Sequence, residues 1–236
     1  MLRALAARWP WLRPFVPAAV IAAGWPSCLA GEGPLVAFLG DSLTSGWRLR
    51  EEEAYPALVG RALADRGRPV RVINAGVSGD TTAKALARLP AVLKHRPDVL
   101  VVALGANDGL SREPLVATEA ALERIVLDAE AAGSRVLLVG IRLGTAGAAP
   151  RIGDTAGDEE RSRALWGIYP RVASAHALPL VPDLLAGVAG NADLLFPDRL
   201  HPNASGQRRL AENVRPQLEL LLAELRAGRG AAAEKP

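Results

Sequence analysis

The chain has 236 residues, half of them apolar and 22% charged, a composition that suits one globular domain with a sizeable core and excludes a disordered chain. One cysteine excludes a disulfide framework and a multi-cysteine zinc site, and three histidines argue against a histidine-rich metal cluster. The formal charge of +3 belongs to an acid-free leader holding Arg3, Arg8 and Arg13; without it 25 of the 28 basic residues face 25 acids, and this balance carries no nucleic-acid footprint.

Residues 1–13 are positive, and residues 15–25 (FVPAAVIAAGW) are apolar but too short to span a bilayer with ease. Cys28-Leu29-Ala30 then sets small residues at −3 and −1 of a cut before Gly31, the layout of a secretory signal peptide. The expectation is a periplasmic or secreted protein. A lipoprotein site at Cys28 is the rival reading, weakened by Trp25 where a Leu-like residue belongs, and an uncleaved N-terminal anchor or a wrong start codon also stays open. No later segment is long and apolar enough to cross a membrane, so no stable span is expected after cleavage.

The body alternates short apolar runs with amphipathic stretches. Leu35–Leu39 reads as a buried strand, residues 54–66 as a helix with Leu58, Ala62 and Leu63 inward, and Val70–Asn74 as a second strand. Residues 82–95 read as a helix capped by Thr81 or Thr82 and bent at Pro90. Val99–Leu104 is the central strand, residues 114–132 a helix facing inward through Leu115, Leu122, Ile125, Val126 and Ala129, and Val136–Ile141 a fourth strand. A helix over 158–176 interrupted by Pro170, a short strand at Leu180–Val181 and a last helix from Ala204 follow. Leu210, Val214, Leu218, Leu221 and Leu225 form the apolar stripe of that helix, which Pro216 should kink or restart, and residues 227–236 read as a flexible tail.

Strictly alternating βα units predict an α/β fold: a five-stranded parallel sheet in a three-layer, flavodoxin-like α/β/α sandwich. Ligands of such sheets bind beyond the carboxyl ends of the strands, and four candidate elements fall there. Ser42, in Gly40-Asp41-Ser42-Leu43, follows the first strand directly and is either a nucleophile on a rigid edge or a plain helix cap. The glycines of Asn74-Ala75-Gly76-Val77-Ser78-Gly79-Asp80 either expose an N–H to a ligand or make a tight turn. Asn107, in Gly105-Ala106-Asn107-Asp108-Gly109, either donates its amide into the cleft or closes an Asx-turn. In Asp198-Arg199-Leu200-His201, either a carboxylate three residues before an imidazole holds one ring nitrogen and leaves the other free, or His201 is a buried or surface-satisfied structural histidine. His95 and His176 read as structural. Acyl transfer needs a nucleophile, a base, an orienter of the base and oxyanion donors, and the four loops supply one of each.

As a set, Gly40-Asp41-Ser42-Leu43, Gly79, Gly105-Ala106-Asn107-Asp108 and Asp198-Arg199-Leu200-His201 resemble the four blocks of the GDSL, or SGNH, hydrolase family in order and spacing. The longer strings GDSLTSGW, VINAGVSGDTT, ARLP, LGANDGL, IRL and DRLHPN resemble its bacterial acyl-CoA thioesterase I / lysophospholipase / arylesterase branch, over about residues 35–225. The Gly-x-Ser-x-Gly elbow of α/β-hydrolases is absent. The resemblance implies a hydrolase domain over 31–226 that cleaves carboxylic ester or thioester bonds of small acyl substrates. It implies Ser42 as nucleophile, His201 as base, Asp198 as orienter, and an oxyanion hole from the Ser42 and Gly79 N–H groups and the Asn107 amide. No metal and no cofactor is required. Asp41 and Asp108 read as turn formers.

For the acyl chain, Asp80, Leu110, Leu143 and Phe196 are candidate substrate contacts, with Leu194 and Leu195 nearby; core packing is the competing role for the apolar ones. The Gly-rich stretch 144–157 reads as a lid or a plain loop. Two rival functions remain: a carbohydrate O-acetyl esterase built on the same blocks, and a non-catalytic flavodoxin-like module holding an anion or flavin at the Gly40–Ser42 helix start. The second lacks a dinucleotide or Walker A fingerprint.

Overall fold

The structure, a computed structural model, describes residues 33–112, 114–143 and 156–233. The readings of residues 1–30 lie outside these, as does the stretch 144–157 apart from its last two residues, which begin a helix.

Strand β1 (Leu35–Gly40) leads into a one-turn helix α1 (Ser42–Ser45), then a 3₁₀ turn (Glu51–Glu53) and α2 (Tyr55–Ala64). Next come β2 (Arg71–Gly76), α3 (Thr82–Leu93), β3 (Val99–Ala103), a short α4 (Ala106–Leu110), α5 (Leu115–Ala131), β4 (Arg135–Val139), α6 (Ala156–Ala175) and β5 (Leu180–Val181). A 3₁₀ turn (Ala192–Leu194) and α7 (Ala204–Ala233) close the described chain. All strand pairs are parallel, in the order β2-β1-β3-β4-β5. Every residue of β1 and β3 is buried, as expected of strands covered by helices on both faces.

The order reverses at β1, whose successor lies on one side and β3 on the other, and this switch point positions the site. Gly40 pairs with both Gly76 and Ala103, so three strands end level. Gly40 and Gly76 are glycines for a steric reason. A Cβ on Gly40 would run into Thr44 and the Ala103 carbonyl, and one on Gly76 into the backbone of Thr44 and Ser45. Without side chains there, α1 lies directly across the strand ends.

Several elements differ from expectation. The buried face of α2 is Tyr55, Val59 and Leu63, with Leu58 and Ala62 half-buried. The face turns because the Tyr55 ring is drawn into the core, where its hydroxyl meets Thr44 Oγ1 at 3.1 Å and its ring meets Phe38 edge-on. Thr81 caps α3, while Thr82 is taken up by Asp108. Pro170 does not interrupt α6 and Pro216 does not restart α7, which runs to Ala233; these prolines and Pro90 lie inside helices that continue past them. Each of these prolines is on an exposed face of its helix. α1 and α4 are helical turns that the sequence reading leaves as loops.

Candidate active site

Asp41 ends the run from β1 and caps α1, its Oδ1 accepting the Leu43 N–H at 2.9 Å. Ser42 is therefore the first residue of a helical turn that Gly46 closes in the left-handed conformation, φ 72°. Gln207 of α7, buried, locks this turn from behind: its Nε2 donates to the Leu43 carbonyl at 3.0 Å and its Oε1 accepts the Tyr55 N–H at 2.8 Å.

The loop before α7 supplies the partner groups. Leu195 and Pro202 form an antiparallel bridge, and the Phe196 N–H donates to the His201 carbonyl at 2.8 Å, closing residues 196–201 into a hairpin. Inside it, Asp198 Oδ1 accepts the backbone N–H groups of Leu200 and His201, both at 3.0 Å. Asp198 Oδ2 then meets His201 Nδ1 at 3.0 Å, and His201 Nε2 meets Ser42 Oγ at 3.0 Å. Hydroxyl, imidazole and carboxylate thus form one hydrogen-bonded line that can move a proton off Ser42. Burial acts to raise the Asp198 carboxyl, but the two backbone donors and the imidazole outweigh it and hold the group below the ordinary carboxylate range.

Gly79 stands at the third position of the turn Val77–Asp80, closed by the Asp80 N–H on the Val77 carbonyl, with φ 83°. A Cβ there would touch nothing within 4 Å, so its glycine is required by conformation and not by space. Asn107, on α4, reaches across to the second loop, its Nδ2 donating to the Asp80 carbonyl at 2.8 Å and to Asp41 Oδ2 at 3.4 Å. The amide is anchored between two loops and does not close an Asx-turn.

Ser42, Gly79, Asn107 and His201 line one cavity of about 340 Å³. Its remaining walls are mostly apolar: Leu43, Trp47, Ala106, Leu110, Leu143, Leu185 and Leu200, with Ser78. Of the candidate substrate contacts, Leu110 and Leu143 line it; Asp80 and Phe196 do not. The Asp80 carboxylate is buried against Arg88, Nε to Oδ2 2.6 Å, and Arg88 in turn donates to the Gly40 carbonyl at 3.1 Å. A carboxylate so engaged has no reach to an acyl chain. Phe196 packs edge-on against Trp47 with ring centroids 6.1 Å apart, behind the wall. Leu195 belongs to the core, and Leu194, part-buried, packs against it. The sequence reading does not single out Trp47, Leu185, Leu200 or Gln207. Trp47 carries the available signal, standing inside the GDSLTSGW string five residues after Ser42.

Beneath the floor, Asp41, Asp80 and Asp108 are all buried. Asp108 accepts the Thr82 N–H and hydroxyl and the Thr118 hydroxyl, fixing α4 to α3 and α5. Burial pushes the Asp41 carboxyl up from its ordinary 3.8 to about 7; the nearby Asp108 and Asp80 charges add to the rise and the Leu43 N–H opposes it.

Residues 38–209 match the model of the GDSL-like lipase/acylhydrolase family. The chain is 38% identical to the protein named Esterase TesA of Pseudomonas aeruginosa over 185 residues, 78% of this chain and 87% of that one. It is 35% identical, over 78% of this chain and 83% of the other, to the Escherichia coli (strain K12) protein named thioesterase 1/protease 1/lysophospholipase L1. Among solved structures, a crystal structure of TesA superposes with a TM-score of 0.72 at 37% identity, over 80% of this chain and 99% of that one.

Proposed function

Because the chain belongs to the GDSL-like lipase/acylhydrolase family, and is a serine hydrolase of ester or thioester bonds, we propose that Ser42, His201 and Asp198 perform that hydrolysis on acyl chains held in the apolar cavity. The observation that carries the assignment is the continuous line Ser42 Oγ, His201 Nε2, His201 Nδ1, Asp198 Oδ2, with 3.0 Å at each hydrogen bond. His201 takes the Ser42 proton as the oxygen attacks the carbonyl carbon. Asp198 keeps the imidazole in the tautomer whose Nε2 accepts and balances the imidazolium that forms. The tetrahedral oxygen carries the developing charge, and the Ser42 N–H, the Gly79 N–H and the Asn107 amide are its donors. The Asn107 amide is directed by its hydrogen bond to the Asp80 carbonyl at 2.8 Å and by Asp41 Oδ2 at 3.4 Å. Imidazolium then protonates the leaving oxygen or sulfur, and water, activated by the same imidazole, hydrolyses the acyl-Ser42 ester.

The volume of about 340 Å³ and the leucine-rich walls favour medium acyl chains. The test is hydrolysis of p-nitrophenyl acetate, butyrate, octanoate and palmitate by the unaltered chain and by Ser42→Ala. Activity that peaks at butyrate or octanoate and vanishes in Ser42→Ala is expected. Turnover persisting in Ser42→Ala overturns the assignment of the nucleophile, and activity confined to acetate overturns the acyl-chain reading in favour of deacetylation. Residues 1–30 are further proposed to export the enzyme and to be removed before Gly31. N-terminal sequencing of the protein recovered from outside the cytoplasm tests this, and an intact Met1 terminus there refutes cleavage.

A further inference from the structure

The His201 ring is held by three contacts, and two of them belong to the triad. Hydrogen bonds at Nδ1 and Nε2 pin opposite edges of the imidazole, yet they leave it able to roll about the line that joins the two nitrogens. The third contact is on the face. Trp47 stacks on His201 with ring centroids 4.1 Å apart and planes 28° from parallel.

Trp47 is itself immobilised. Its backbone N–H donates to the Ser42 carbonyl at 3.2 Å, so it rides on the turn that presents the nucleophile. The Arg48 guanidinium carbon lies over the indole 4.1 Å from its centroid. Arg48 and His201 therefore both pack on the indole. Phe196, from the hairpin that carries His201, abuts the indole at 82°. Arg48 takes a left-handed backbone, φ 62°, to reach this position, a conformation unusual for a residue with a side chain.

We propose that Trp47 is a positioning residue of the triad: its indole face stops the roll of His201 and keeps Nε2 directed at Ser42 while Nδ1 stays on Asp198. The inference rests on the triad reading above. His201 lies on an exposed hairpin between neighbours that do not belong to the sheet, and a face contact anchored to the Ser42 turn couples the base to the nucleophile through packing as well as through a hydrogen bond. Small errors in the placement of reacting groups cost on the order of 100-fold in rate.

The experiment compares Trp47→Leu and Trp47→Phe with the unaltered chain on p-nitrophenyl butyrate, with thermal melting of each. Ser42→Ala and His201→Ala are the controls for the reading beneath it. Trp47→Leu is expected to lower kcat about 10- to 100-fold, to leave KM within about threefold and to melt cooperatively, while Trp47→Phe, which keeps a face, recovers most of the loss. A kcat within about threefold of the unaltered chain in Trp47→Leu, or a loss carried by KM, overturns the proposal. If His201→Ala keeps full activity, the triad reading itself fails, which is a separate result. Should Trp47→Leu not fold, the stack is read in the unaltered chain. Indole emission at a single pH is expected to rise in His201→Gln, where the stacked imidazole no longer quenches it; emission unchanged in His201→Gln overturns the proposal.

Discussion

Replacing Asp41 by asparagine removes a buried titrating group and keeps the shape of the side chain. In the unfolded chain Asp41 loses its proton near 3.8, and in the folded chain near 7. Between those values the folded state holds the extra proton, so stability falls as pH rises through that window, and the loss is complete above it. At about 1.4 kcal/mol for each tenfold step in the proton equilibrium, the loss is about 4 kcal/mol. The substituted asparagine does not titrate and escapes this loss. Its Oδ1 still accepts the Leu43 N–H, but its NH₂ now faces the Asn107 amide, two donors opposed at a fully buried position, which costs about 1–2 kcal/mol. Asp41→Asn should therefore be less stable than the unaltered chain at pH 4 by about 1 kcal/mol and more stable at pH 8 by about 2–3 kcal/mol, with the curves crossing near pH 5. Urea unfolding of both proteins at pH 4, 6 and 8, followed by far-ultraviolet circular dichroism, measures the difference. The stabilised variant should also be the slower enzyme, because Asn107 loses its carboxylate anchor: kcat should fall by about 10-fold or more. A stability difference that does not change with pH, or one that shrinks as pH rises, refutes the reasoning.

Asn107→Ala should lower kcat about 10²- to 10³-fold, the cost of removing one oxyanion donor, with a small change in KM; a change confined to KM would make Asn107 a substrate contact. Gly79→Ala should lower kcat by shifting the N–H of a turn that needs φ 83°, and should destabilise by about 1 kcal/mol although the added methyl meets open space; wild-type kinetics would show that this N–H is not used. Arg88→Leu leaves the buried Asp80 carboxylate without its partner and should cost about 2–4 kcal/mol in urea, discounted from a fully buried pair because Arg88 is 22% exposed. Arg88→Leu with Asp80→Asn should recover most of that loss, and a double variant no more stable than the single one would mean that the pair is not what holds the loop.

The layout of the sheet and the four site loops are legible in the sequence for one physical reason. A parallel strand buried on both faces reads as a short unbroken apolar run, as β1, β3 and β4 do, and the part-exposed edge strands β2 and β5 give mixed or shorter runs between the same helices. Residue types suited to acyl transfer at four of the strand exits then narrow the chemistry, and Gly40, Gly76 and Ala103 ending in one register bring three of the exits together. Side chains that act through a neighbouring loop are not legible. The position of Asp80 beside Gly79 suggests a substrate contact, but its direction is set by Arg88, eight residues further on in α3. Phe196 is in the hairpin that carries His201, yet the cavity wall there is Trp47, against whose ring Phe196 packs edge-on.

Asp41 makes the same point from the opposite side. As a helix cap it is readable from Asp-Ser-Leu alone, since a carboxylate before a helical turn accepts one of its free N–H groups. That role needs only Oδ1. The second oxygen, full burial, and two further carboxylates beneath the same floor are products of packing between β1, the second loop and α4. A cap that served only α1 would be less costly as serine, which carries no charge to bury. Retaining a carboxylate at a site that raises it to about 7 is a local loss of stability. On the proposed oxyanion role of Asn107, the gain lies in its amide, which donates to the Asp80 carbonyl and Asp41 Oδ2. Stability and donor alignment therefore compete at one residue, and the expected crossing of the Asp41→Asn stability curves, together with its slower turnover, separates the two contributions.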